Sequence, residues 1–253
     1  MPDESIIKCQ QLIPRELPFD YHGDALDFDI AHGEVVSIIG PDYSGKGNWL
    51  RTICGLEDTS SGSVRIKGID TMHLSEDDWT KTRKKVPYLH QDTALLSAAN
   101  GLTNVLAPAF YNQLDKNIEK GLLIESALEL LEEIDPEINL DDLPAYISKD
   151  QQFKIAVARA LLLKTEVLAL NNPFAHFNPD SKQKFKDFLQ KKIIQGLSLL
   201  IVTHDIDYVL NISDKIIFAS RDNIIYFDST QAILDCDIPV VNGFIHKTEN
   251  KVW

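Results

Sequence analysis

Short apolar runs punctuate the chain at Val35–Ile39, Ser63–Ile66, Val86–Leu89, Glu166–Leu170, Leu197–Val202, Lys215–Ala219 and Asn223–Phe227. Their richness in Val, Ile and Leu is the pattern of short, mostly buried strands. Between several of them the period becomes helical. Ile118, Leu122, Leu123, Ala127, Leu130, Leu131 and Ile134 recur at helical spacing and stop before Pro136, which predicts one amphipathic helix. Phe185, Phe188, Leu189 and Lys192-Ile193 predict another. Strands alternating with helices imply an α/β fold with a mainly parallel sheet and a ligand at the carboxyl ends of its strands. Residues 93–161 have helical periodicity and little strand signal. They predict a helical subdomain inserted between two parts, 1–92 and 162–253, of the core of a single domain.

The loop after Val35–Ile39 carries the chemistry. Gly40-Pro41-Asp42-Tyr43-Ser44-Gly45-Lys46-Gly47 has the preceding strand, the glycine-rich turn and the lysine with which backbone amides and an ammonium cradle nucleotide phosphates. A Ser or Thr normally follows the lysine and ligates Mg²⁺. Gly47 has no side chain to do so. Two readings of Lys46 stand side by side: contact with a nucleotide phosphate, or a retained loop shape with no ligand.

Composition narrows the partners. With 38 acidic and 25 basic residues the net charge is −13, which argues against nucleic acid, whose phosphates need clustered Lys and Arg. The tract Lys81–Lys85 reads as a solvated face beside a helix. Cys9, Cys54 and Cys236 are too few and too scattered for a disulfide framework, so a reducing compartment fits. No basic-then-apolar leader and no run of about 20 apolar residues is present, which predicts a cytosolic protein unless a partner holds it at a membrane. His22, His32, His73, His90 and His246 lack metal-ligand spacing.

Ordered landmarks make the chain resemble an ATP-binding-cassette (ABC) transporter ATPase subunit over nearly its whole length. Gly40–Gly47 matches the Walker A loop, with Asn48 following it, and Gln91 after Val86–His90 matches the Q-loop glutamine. Ser148-Lys149-Asp150-Gln151, followed by a segment ending Ala158-Arg159-Ala160, lies where the family has its Leu-Ser-Gly-Gly-Gln signature. Val167–Leu170 followed by Asn171-Asn172-Pro173 lies where it has a strand ending in Asp-Glu-Pro, and Thr203-His204-Asp205 matches the switch histidine. The resemblance implies a RecA-like P-loop NTPase core with an inserted helical subdomain. Gln91–Leu96 with Asn104–Pro108, Asn172-Pro173-Phe174, and the layout of Gln231–Leu234 with Pro239 and Phe244 are similar to the ATPase of the Mla (maintenance of lipid asymmetry) transporters, bacterial phospholipid systems.

Against that resemblance the substitutions strike different parts of one machine. Gly47 removes a Mg²⁺ ligand. Asn171 replaces the acid that holds the metal through its hydration shell. Asn172 replaces the glutamate that polarises the attacking water, and an amide cannot accept that proton. Asn171 and Asn172 also have a plain structural reading, as caps of the strand and the following turn. His204, a γ-phosphate contact in an active member, reads equally as a strand-end hydrogen bond. Lys149 and Asp150 replace glycines that let a helix N-terminus approach the phosphate on the opposite subunit. A carboxylate about 4 Å from a phosphate charge costs roughly 4 kcal/mol at an effective dielectric near 20, partly offset by Lys149. The aromatic that stacks on adenine falls at Arg15 in register, or at Phe19 or Tyr21 if the segment is shifted.

These departures imply a pseudo-ATPase: weak ATP binding, no Mg²⁺, and a structural or regulatory role as a homodimer or heterodimer on a transmembrane permease at the inner membrane. The alternative is a slow or partner-dependent ATPase that drives transport. Leu95, Leu96, Leu102, Val105 and Leu106 are expected to include an exposed docking patch for the permease.

Overall fold

In the computed structural model, which describes residues 5–111, 120–163 and 165–249, the chain opens with a hairpin-like pair, β1 (Ser5–Pro14) and β2 (Leu26–Ala31). It continues through β3 (Val35–Ile39), α1 (Lys46–Ile53), β4 (Thr59–Ile66), β5 (Ile69–Asp70), α2 (Glu76–Lys85) and β6 (Tyr88–His90). Three helices follow, α3 (Gly101–Tyr111), α4 (Lys120–Ile134) and α5 (Lys149–Leu161). The remainder is β7 (Val167–Asn171), α6 (Pro179–Ile194), β8 (Ser198–Val202), α7 (Ile206–Ile212), β9 (Lys215–Ala219), β10 (Ile224–Phe227), α8 (Thr230–Leu234) and α9 (Pro239–Glu249).

A six-stranded sheet of order β10-β9-β3-β8-β7-β6 forms the centre, and all its neighbours are parallel except β10 on β9. Every residue of β3, β7 and β8 is buried. Strands covered on both faces read as unbroken apolar runs, which is why these stand out in the sequence. The strand expected over Val86–Leu89 begins at Tyr88 instead, because Pro87 has no N–H for the ladder and contributes only its carbonyl, bonded to Ala169 N at 3.0 Å.

A second sheet, order β2-β1-β4-β5 and antiparallel throughout, was not among the sequence expectations. Residues 63–66, expected in the parallel sheet, belong to it. Its strands alternate buried and exposed positions, and β1 is interrupted by register shifts in its pairing with both neighbours. Such a broken alternation carries a weaker signal than a continuous apolar run. Leu12, Leu26, Ile30 and Val64 from this sheet pack with Trp49, Leu50 and Ile53 of α1.

On the opposite face α3, α4 and α5 pack on one another, and their apolar faces merge with β7, β8 and α6 in a second core. The helix expected from Ile118 to Ile134 is α4 over the described residues; Ile118 lies outside them. An aromatic cluster of Phe153, Phe174, Phe177, Phe185, Phe188 and Tyr208 joins α5, the loop after β7, α6 and α7, with ring centroids 5.1 to 6.3 Å apart. It fixes the loop that leaves the carboxyl end of β7.

Candidate functional site

At the carboxyl end of β3 the chain turns through Gly40, φ 143°, where a Cβ would lie 1.9 Å from the Ala219 carbonyl oxygen. Only glycine lets the loop lie against the end of β9. The loop then enters α1 through Gly45, φ 76°, which caps the helix without a side chain. By contrast α2, α5, α6, α7 and α8 are closed by Ser75, Ser148, Asn178, Asp205 and Ser229. The first-turn amides of α1 therefore carry the positive end of the helix dipole without a side-chain acceptor. Asn48 ties the helix back to the Glu16 carbonyl.

Lys46 is 6% exposed, and its ammonium points back into its own loop. It donates to the carbonyls of Gly40, at 2.9 Å, and Pro41, and to Ser44 Oγ at 3.2 Å. Among the described residues no carboxylate pairs with it at ion-pair distance. Burial lowers its pKa from 10.5 to about 8, against a smaller opposing pull from Asp42. A buried cation held by neutral oxygens, two carbonyls and a hydroxyl, favours an arriving anion.

Around it lies a cleft of about 320 Å³ lined by Ser44, Gly45, Lys46, Gly47, Asn48, Gln91, Asn171, Asn172 and His204, together with Pro18, Asp42, Tyr43 and Val202. Sequence-singled residues far apart in the chain thus meet at one place, the carboxyl ends of β3, β6, β7 and β8. Asn171 Nδ2 donates to Tyr88 Oη at 2.9 Å, and Asn172 Nδ2 to Gln91 Oε1 at 2.7 Å. Asn172 has φ 53°, a left-handed conformation that Asn tolerates better than Glu. The amides therefore hold the strand end together as well as line the cleft. His204 Nδ1 is 3.6 Å from Asp42 Oδ1; burial and then the Lys46 charge push its pKa down, and Asp42 pulls the other way.

The fit to a divalent cation is poor. The groups crowding the place of the absent side chain at position 47 are hydrogen-bond donors: a Cβ there would lie 3.2 Å from Asn171 Nδ2 and 3.5 Å from Arg51 Nη1. Hard cations need oxygen ligands. Asp42 is the single carboxylate lining the cleft, and its side chain is mostly exposed beside His204. No set of three His, Cys, Asp or Glu side chains that could hold a metal occurs among the described residues.

Ser148, Lys149, Asp150 and Gln151 do not join this cleft; they start α5, where Ser148 and Gln151 form a reciprocal capping box. Asp150 does not stand outward as expected. Its Oδ2 accepts from Ser181 Oγ at 2.7 Å and lies 3.5 Å from Lys154 Nζ, while Ser148 Oγ bonds its Oδ1. Burial alone would raise this carboxyl, but the hydroxyls of Ser148 and Ser181 and the Lys154 charge hold it below the usual carboxylate range. The compensating cation is Lys154, 2% exposed and bonded to Asp135 Oδ2 at 2.6 Å, rather than Lys149, which reaches Gln152 Oε1 at 3.4 Å.

Two further expectations change. Val105 and Leu106 are core residues and Leu95 and Leu102 pack against that core, leaving Leu96 as the exposed member of the docking patch. Arg15 is turned to Asp58 at 2.6 Å and Tyr21 packs edge-on against Trp49, whereas Phe19 lies beside the loop at Gly45. Sequence reasoning missed Arg51 and gave no role to Tyr88, or to Asn104 beyond its place in the Mla resemblance. Asn104 is fully buried, accepting from Leu96 N at 2.7 Å and donating to the carbonyls of Leu96, Ala99 and Asn100. A polar residue inside an apolar helical stretch was the available signal.

The ABC transporter family profile matches residues 24–175. A probable amino-acid ABC transporter ATP-binding protein of Haemophilus influenzae is 28% identical over 218 residues, 83% of each chain. The methionine import ATP-binding protein MetN of Brucella abortus is 28% identical over 195 residues, 77% of this chain, which spans about half (52%) of that protein. The dimeric structure of MJ0796, a bacterial ABC transporter cassette, superposes with a TM-score of 0.77 at 26% identity, covering 88% of this chain and 98% of that one. The α/β P-loop cassette fold expected from the sequence is the fold observed.

Proposed function

The chain belongs to the ABC transporter family, and from that premise we propose that it is a catalytically degenerate ATP-binding subunit, one that docks on a permease but does not hydrolyse. One observation carries this: β7 ends in two amides, each committed to a neighbouring side chain, where the chemistry needs a metal-holding carboxylate and a proton-accepting one. The buried, carboxylate-free Lys46 and the uncapped start of α1 support retention of a phosphate site. Pairing with an intact second cassette would rescue neither composite site fully, because the signature of this chain is altered as well as its cleft. Among the described residues no helix is long and apolar enough to cross a membrane, so attachment to the inner membrane is assigned to the permease.

For the cargo, the lipid branch is supported by the residues shared with the Mla ATPases, two of which have packing roles: Asn104 shapes the loop after Gln91, and Phe174 sits in the aromatic cluster. Import of an amino acid has the names of the relatives behind it. Phosphate release by the purified chain with ATP and Mg²⁺ tests the central reading. Loss of a general base alone commonly costs about 10²–10⁴-fold, and negligible turnover is expected. A Mg²⁺-dependent rate of about 1 s⁻¹, abolished by Lys46→Ala, would overturn it.

A further inference from the structure

Beneath the loop, a polar chain runs from Glu57 through Arg51 and Tyr88 to Asn171. Glu57 Oε1 accepts from Arg51 Nε at 2.5 Å, the Tyr88 hydroxyl beside the guanidinium helps to raise its pKa, and the same hydroxyl accepts from Asn171 Nδ2. Arg51 lies one turn beyond Gly47 on the same face of α1. Held through Nε, the guanidinium presents Nη1 only 3.5 Å from the point at which a side chain at position 47 would begin. The glycine thus removes a metal ligand and opens the way between a fixed cation and the cleft. Glu57, in its turn, keeps the guanidinium oriented at a site that is only partly exposed.

We propose that Arg51 supplies from within the fold the positive charge that a divalent cation would bring, so that the cleft takes a nucleoside triphosphate free of metal. The proposal rests on the reading of the cleft as a phosphate site. The donor set is suited to it: an ammonium, a guanidinium fork, an amide N–H and uncapped helix amides all offer protons to phosphate oxygens, and none offers an oxygen to a metal. A Mg²⁺ ion carried in on the phosphates would meet donors rather than a ligand at position 47, and the guanidinium behind it would repel the ion, while Ser44, Gln91 and Asp42 are the oxygen-bearing side chains left around it.

Calorimetric titration of the intact chain with ATP, in EDTA and in saturating Mg²⁺, tests this. Binding in EDTA at least as tight as in Mg²⁺ is the expected result. Arg51→Met, which keeps the aliphatic stem, and Gly47→Ser, which closes the gap while leaving Arg51 intact, are each expected to weaken ATP binding in EDTA about tenfold, the loss of one charge-assisted hydrogen bond. Tightening of the unaltered chain by tenfold or more in Mg²⁺ would overturn the proposal, as would unchanged affinity in either variant. The comparison of the unaltered chain with and without metal stands even if Arg51→Met fails to fold. No ATP binding in either condition would refute the phosphate-site reading itself, and the Arg51 role with it.

Discussion

Lys46 sets two opposed responses to pH. Because burial holds its folded pKa near 8 against 10.5 for the free side chain, the unfolded chain binds more protons than the folded one between those values. Its contribution to stability therefore rises with pH across that window. Anion binding runs the other way, since the ammonium that attracts phosphate is lost above about pH 8. ATP affinity is expected to fall from pH 8 to pH 10 while the urea midpoint gains from this group. Lys46→Met should flatten both trends, and urea titrations and calorimetry across pH 7 to 10 check them. A side chain that titrates the two properties in opposite directions is a stronger test of the cleft than simple loss of binding.

Among the elements, α5 is secured by a buried charge rather than by its cap alone. Lys154 joins Asp135 after α4, Asp150 in the first turn of α5 and Ser181 in the first turn of α6. Lys154→Met should destabilise by about 3–5 kcal/mol, because it leaves two carboxylates facing one another without their cation. Thermal unfolding would show it, and a loss under 1 kcal/mol would mean the network is slack. The pairing was invisible in the sequence, where Lys154 is one lysine on a helix of mixed composition; distance along the chain hides Asp135 and Ser181. By contrast β3, β7, β8 and β9 were legible because both faces of each are covered. The antiparallel sheet was not, since its half-exposed strands and shifted register dilute the alternation. The cleft followed the same division. Gly40, Lys46, Asn171, Asn172 and His204 stand at strand ends that motif order identifies, while Arg51 and Tyr88 enter through side-chain direction, which spacing alone does not give.

For the molecule as a whole, the proposed loss of hydrolysis rests on two separated alterations. Restoring the cleft with Gly47→Ser, Asn171→Asp and Asn172→Glu is expected to leave phosphate release negligible in a homodimer, because α5 of the facing subunit would still start on Lys149 and Asp150 in place of two glycines, even with Asp150 turned inward to Ser181 and Lys154. The Asn172 change also places a glutamate in a left-handed conformation, at a cost of roughly 1 kcal/mol. Adding Lys149→Gly and Asp150→Gly should be required for activity, the coupling expected of residues that act as a unit. Full recovery from the three cleft changes would show that the signature is not limiting.

Asn104 has a consequence for the direction in which such a subunit passes information. By tying Leu96, Ala99 and Asn100 into one knot, this amide anchors the outer end of the rod that runs from the exposed Leu96 back to Gln91, and Arg159 pins the stretch between them through the Ala94 carbonyl at 2.8 Å. At the rod's inner end Gln91 grips Asn172. Coupling between two sites is reciprocal whether or not bond cleavage drives it. A push on the outer end is therefore felt in the cleft, and Asn104→Ala should loosen both ends together, with faster hydrogen exchange over residues 92–99 and around Asn172. On the proposed reading, in which no phosphate bond is cleaved, that linkage serves as a gauge rather than as part of an engine.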